Sequence, residues 1–213
     1  MKKRWDLLNY IIRQHYFENY LEIGSQSGYN FDQIVVENKV SVDPNEQIAD
    51  FQLTSDEFFA QNKQKFGLIF IDGLHEADQV TKDIENALKH IEEGGIIVCN
   101  NLIPLNEIAQ RVPRETDLWN GDVWRSWVHC RRTRYDLTMF VVQLDNGCGI
   151  IMRGSQKIIE FPKGFKLSYE GLVDNMHHWL NLYSEEKAWK FLHRNNFPWI
   201  EKKIPEVQEE EAK

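Results

Sequence analysis

Apolar residues fall into two alternating patterns along the chain, short continuous runs and stripes at three-to-four spacing. Residues 20–24, 39–43, 67–72 and 94–100 are runs of strand length. Within them, 68–71 and 96–98 are apolar throughout, as a strand covered on both faces requires. Ala77, Val80, Ile84, Ala87, Leu88 and Ile91 stripe one face of a helix that Gly94-Gly95 is expected to end. Leu7, Leu8, Ile11 and Ile12 predict an N-terminal helix over 4–17. Thr54-Ser55-Asp56-Glu57 fits a capping box with Thr54 as N-cap. Val123, Trp124, Trp127 and Val128 stripe a further helix, with Asp122 where its N-cap belongs. Residues 139–144 and 149–152 flank Asn146-Gly147, the preferred tight-turn pair, and predict an antiparallel hairpin. A last helical region is expected over 168–194 through Leu172, Val173, Met176, Trp179, Leu180 and Tyr183. Strands alternating with helices and closing on a hairpin predict an α/β fold with a mostly parallel sheet.

At 213 residues, 42% of them hydrophobic and 12% aromatic, the chain can bury a core, which excludes wholesale disorder. We divide it into a main domain over 1–160, a helical lid or oligomer segment over 161–200 and an acidic tail over 201–213. The formal net charge of −8 gives no basic field for nucleic acid or an anionic membrane. Three arginines at 131, 132 and 134 are too few to change that reading. No apolar stretch reaches membrane-span length, and Asp6, Asn9 and Arg13 interrupt the apolar residues after Met1-Lys2-Lys3-Arg4. Cys99, Cys130 and Cys148 are odd in number and widely spaced, so a disulfide framework is disfavoured and a cytoplasmic protein is expected.

Candidate chemistry lies where the strands end, because open α/β sheets bind ligands beyond their carboxyl edges. The first strand runs into Glu22-Ile23-Gly24-Ser25-Gln26-Ser27-Gly28. A dinucleotide fingerprint needs glycine where Gln26 stands, which disfavours a nicotinamide oxidoreductase and leaves room for a smaller amino-acid portion. Asp43 follows Gly24 by 19 residues and ends the second strand, where a carboxylate grips ribose hydroxyls. Asp72 and His75 follow one later strand, Asn100 and Asn101 the next, so all four are expected at one pocket. Histidine is a suitable general base there. Asn100-Asn101 also reads as a turn ahead of Pro104.

Glu22-Ile-Gly24-x-x-x-Gly28, Val42-Asp43-Pro44, Thr54-Ser55-Asp56-Glu57-Phe58-Phe59 and Phe70-Ile71-Asp72-Gly73-Leu74-His75 together resemble the class I S-adenosylmethionine (SAM)-dependent methyltransferases. More narrowly they resemble a bacterial subgroup with Asp-Gly-x-His after its fourth strand, and the likeness runs from about residue 4 to 155. The resemblance implies a Rossmann-like sheet of seven strands with helices on both faces, the hairpin supplying the reversed strand, and a C-terminal helical extension. It implies SAM as cofactor, with Gly24, Ser25 and Gly28 around the methionine part, Glu22 in the same motif and Asp43 at the ribose. Ser55 and Asp56, after the third strand, would lie near the adenine. Metal-using relatives hold a divalent ion such as magnesium through positions matching Asp72, Asn100 and Asn101, but two amides stand here where a carboxylate is usual, which makes metal doubtful. His75 would be the base and Asp72 would orient it, contact SAM or bind metal. Asp122 and Arg125, in a Gly-Asp-Val-Trp-Arg stretch, are the substrate candidates. The expected function is O-methylation of a small molecule such as a sugar or surface-glycan precursor, with a homodimer allowed. A SAM-binding protein without catalysis is the rival.

Overall fold

The computed structural model describes residues 3–45 and 47–197, so the acidic tail lies outside the described residues. Helix α1 (Arg4–His15) is followed by β1 (Asn19–Ile23) and β2 (Asn38–Val42), then α2 (Ser55–Gln61), β3 (Phe66–Ile71), α3 (Ala77–His90) and β4 (Ile91–Cys99). Helix α4 (Val123–Thr133), the hairpin β5 (Leu137–Val142) and β6 (Cys148–Arg153), α5 (Tyr169–Leu180), β7 (Leu182–Tyr183) and α6 (Glu185–Leu192) complete it. The seven strands lie in the order β2-β1-β3-β4-β6-β5-β7. β2, β1, β3 and β4 are mutually parallel, and β6 is antiparallel to both neighbours, so the hairpin does supply the reversed strand.

Alternation along the strands explains the layers. On β3, Ile69 and Ile71 face a cluster holding Val80 and Ile84 of α3, Trp124 and Trp127 of α4, and Leu172 and Trp179 of α5. Leu68 and Phe70 face the other side, against Leu7, Leu8 and Ile11 of α1 and Ala188 and Leu192 of α6. Both faces of the strand are thus dry, which is why it reads as one unbroken apolar run. Cys99, Cys130 and Cys148 are all free and buried.

Four expectations need correction. The strand that the resemblance places third is reduced to one bridge, Val42 to Phe51. The Asp50 carboxylate accepts from both the backbone N–H and the hydroxyl of Ser41, each at 2.9 Å, which uses the edge donor a further strand would need. The count of seven is kept by β7, which pairs parallel to β5 at the opposite edge. Second, the helical region over 168–194 is broken at Asn181, which takes φ +51°, and its side-chain amide donates to Met139 O at 2.8 Å. Third, α3 ends at His90 and passes straight into β4, whose Ile91 pairs with Phe66. Gly94 and Gly95 serve a strand irregularity, since a Cβ at Gly95 would lie 2.9 Å from Gly67 O. Fourth, Asn146-Gly147 belongs to a longer loop docked on the next strand end, through Leu102 N to Gly147 O and Ile103 N to Asn146 O.

The C-terminal segment extends the sheet through β7 and packs α5 and α6 on its two faces. Trp179 of α5 is buried beside Trp124, with ring centroids 6.3 Å apart, and Tyr10 of α1 packs against Trp189 of α6 with centroids 4.8 Å apart and the rings tilted by 44°.

Candidate functional site

The chain leaves β1 to β2 on one side and returns to β3 on the other, so the switch point lies between β1 and β3. Their turns are stitched together past the strand ends. Gly24 N donates to Val42 O at 2.8 Å, Asp72 N to Ile23 O at 2.9 Å and Asn100 N to Ile71 O at 3.0 Å. Only glycine fits position 24. Its φ is +85°, and a Cβ there would stand 2.3 Å from Asp72 O. Gln26 takes φ +45°, an uncommon conformation for a side chain, and its N–H donates to Asp43 Oδ2 at 3.0 Å. Asn45 N donates to Asp43 Oδ1 at 2.9 Å, so two backbone donors fix that carboxylate. Gly28, at φ +78°, closes the turn with its N–H on Ser25 O.

A cavity of about 730 Å³ opens here, walled by Gly24, Gln26, Asp43, Ser55, Asp56 and Asp72 among others. Glu22, on β1, is buried and is not in its wall. Its carboxylate accepts from Tyr20 Oη at 2.5 Å and Asn30 Nδ2 at 2.8 Å. Burial pushes its pKa up to about 7, against those two bonds. Ser25 is buried, and its hydroxyl has no hydrogen-bond partner among the described residues.

The far wall has a polar member that the sequence reading missed. Ser55 Oγ donates to Asp83 Oδ1 at 2.6 Å, and Gln79 Nε2 reaches Ser55, Asp56 and Asp83 at 3.2, 3.3 and 3.0 Å. Burial raises the Asp83 pKa. The available signal was a carboxylate set on the apolar stripe of α3, between Val80 and Ile84. Arg114 also reaches this cavity from the long connection before α4.

At the other end, Asp72, His75, Asn100 and Asn101 do come together. His75 Nε2 is 3.2 Å from Asp72 Oδ1, and Asn101 Nδ2 lies 3.0 Å from that oxygen and 2.9 Å from His75 Nε2. Asn100 Nδ2 reaches Asp72 Oδ2 at 3.3 Å. A relay sets the amides. Leu105 N donates to Asn120 Oδ1 at 3.0 Å, so Asn120 offers its Nδ2 to Asn101 Oδ1 at 3.3 Å, which turns the Asn101 NH2 to Asp72 and His75. His75 Nδ1 lies 3.1 Å from Trp119 O, an obligate acceptor. The tautomer assigned from these partners carries its proton on Nδ1 and a lone pair on Nε2. Asp72, Gly73 and Leu74 are in the cavity wall, whereas the His75 ring lies against Trp119, with centroids 5.4 Å apart.

This donor set does not fit a divalent metal. Hard cations take several oxygen ligands, yet both asparagines present NH2 to Asp72. Asn101 Oδ1 is taken by Asn120 and Asn146, and Asn100 Oδ1 faces Cys148 Sγ at 3.6 Å. No group of three His, Cys, Asp or Glu side chains suited to a metal occurs among the described residues.

Asp122 and Arg125 lie elsewhere. Asp122 Oδ1 accepts from Ala77 N at 2.7 Å, so it caps α3 and makes no side-chain cap on its own helix. Arg125 donates to Leu167 O at 3.0 Å and lies over Trp124. Neither is in the cavity wall, nor is any described residue of the segment over 161–200.

Residues 21–102 match a family model described as a methyltransferase domain. Among solved structures, the chain is similar to the O-methyltransferase TomG of Streptomyces achromogenes, involved in tomaymycin synthesis and in complex with SAM. The two share 18% identity over 70% of this chain and 79% of that one, with a TM-score of 0.53. An O-methyltransferase from Bacillus cereus in complex with SAH matches at 17% identity over 71% and 80%, with a TM-score of 0.51. SAH-bound PaMTH1, a methyltransferase of Podospora anserina, matches at 15% identity over 73% and 80%, with a TM-score of 0.52. Identities this low make the likeness one of fold. A search of the curated proteins found no match.

Proposed function

We propose, from the premise that residues 21–102 match a methyltransferase-domain model, that the chain transfers a methyl group from SAM to an oxygen of a small molecule. A sugar or surface-glycan precursor is the acceptor class we favour. One observation carries the reading: a glycine turn that tolerates no Cβ, a carboxylate oriented by two backbone donors and Asp72 share a single cavity. In it, Gly24 gives room for the methionine part, and Asp43 keeps lone pairs free for the two ribose hydroxyls. Ser55, Asp56 and Gln79 supply polar groups for the base.

Bound SAM would supply an electrophilic methyl on a sulfonium. The protein's part is alignment and proton removal. His75 Nε2 takes the acceptor's hydroxyl proton after the hydroxyl displaces the Asn101 N–H. Asp72 Oδ1, 3.2 Å away, then faces the imidazolium. Trp119 O keeps the ring from turning.

Asp43→Ala tests the cofactor assignment. Loss of a charge-assisted bond to ribose removes about 1.5–3 kcal/mol of SAM affinity. Calorimetry with SAM, SAH and NAD on wild type and variant decides it. Unchanged SAM affinity in folded Asp43→Ala, or binding of NAD in place of SAM, overturns the reading.

A further inference from the structure

We propose that the Arg4 guanidinium is the resident cation of the Asp72 cluster, standing where a divalent ion would otherwise meet that carboxylate, so that the centre works without metal. Its catalytic consequence rests on the methyltransferase reading; its effect on metal binding does not.

Arg4 Nη1 lies 3.4 Å from Asp72 Oδ2, with the two side chains 27% and 12% exposed. The other carboxylate oxygen is already engaged by His75 and Asn101. Arg4 is the first residue of α1, where a cation opposes the helix dipole rather than complementing it. Helix stability therefore gives no reason for arginine at this position. The helix start is aimed, however. Arg4 N donates to Asp145 Oδ2 at 2.8 Å, which ties it to the hairpin loop beside Asn146, and Asn146 in turn holds Asn101 Oδ1. Arg4 Nε is buried with no hydrogen-bond partner among the described residues, so attraction to Asp72, not a set of local bonds, explains its placement. At such separations two opposite charges attract strongly wherever water is partly excluded, and a second cation would meet repulsion from the first.

The pair also sets the carboxylate's rotation. With Oδ2 turned to Arg4, Oδ1 faces the imidazole. Arg4 is thus a positioning residue, acting on His75 through Asp72.

Binding of Mn²⁺ to the full chain, read by electron paramagnetic resonance, tests the assignment without any acceptor. Wild type should bind none at micromolar metal. Asn101→Asp should bind weakly, and Arg4→Met/Asn101→Asp at least tenfold more tightly. Arg4→Lys/Asn101→Asp, which keeps the charge, should match Asn101→Asp alone. Wild-type Mn²⁺ binding that Asp72→Asn abolishes would overturn the proposal, as would equal affinity with Met and Lys at position 4. Nitrogen-15 shifts of the His75 ring give a second readout, expected to move in Arg4→Met and to return in Arg4→Lys. Shifts that ignore position 4 remove the positioning role. Absence of SAM binding to wild type would defeat the methyltransferase reading and leave the Mn²⁺ comparison to be judged by itself.

Discussion

Tyr20 and Glu22 project from the same face of β1, and the tyrosine hydroxyl donates to the buried carboxylate at 2.5 Å. The acid is held in a place that disfavours its charge, with its pKa raised from an ordinary 4.5 to about 7. The folded state therefore keeps a proton that the unfolded chain gives up, and stability falls as pH rises from about 4.5 to 7 before levelling. A displacement of this size corresponds to about 3 kcal/mol. Glu22→Gln should flatten that slope, leaving the variant more stable than wild type above neutrality. Urea unfolding across the same pH range checks it, and a slope identical in both proteins refutes it.

Gly24→Ala should be among the most damaging single-methyl changes in the chain. Left-handed backbone costs an alanine about 1–2 kcal/mol, and the new Cβ would also strike the Asp72 carbonyl at 2.3 Å. Relief requires the β1 and β3 turns to part, which widens the cavity floor. We expect lower denaturation midpoints together with loss of SAM binding by calorimetry. Retained affinity would place the cofactor elsewhere.

Asp122→Ala should separate a capping role from a substrate role. Loss of the bond from Ala77 N costs about 0.5–2 kcal/mol of stability. The affinity for SAM and the KM for acceptor should stay within twofold. A large rise in KM without loss of stability would return Asp122 to the substrate site.

His75→Ala should cut kcat by about 10²–10⁴, the usual worth of a general base, with SAM affinity preserved. The deficit should shrink as pH rises and more of a hydroxyl acceptor ionises unaided. Full turnover by the variant would show that the ring only braces Trp119.

Much of this was legible because burial on both faces leaves a plain trace. The runs at 68–71 and 96–98 are strands with both faces dry, and the α3 stripe follows its packed face. The meeting of Asp72, His75, Asn100 and Asn101 was legible from strand order alone. What escaped depends on contacts between segments far apart in the chain. The bond from Leu105 N to Asn120 Oδ1, which orients Asn101, spans 15 residues, and the Arg4–Asp72 pair joins residues 68 apart. In the sequence Arg4 reads only as the start of the helix expected over 4–17, with nothing to pair it with Asp72. The α3–β4 junction was misread because Gly94-Gly95 has the composition of a helix stop and is used as a strand irregularity instead.

The capture of Ser41 by Asp50 also bears on what happens between molecules. β2 is one of the two outer strands of the sheet, and an outer strand's free amides are a template for pairing with another chain. The Asp50 carboxylate covers one of those amides, and Phe51 covers the next, its carbonyl accepting from Asp43 N while its own N–H donates to the Ser41 carbonyl. A foreign strand approaching this side meets a carboxylate and a ladder already in use. The shortened third strand thus serves as a guard against edge-to-edge aggregation beside the very turn that shapes the cavity.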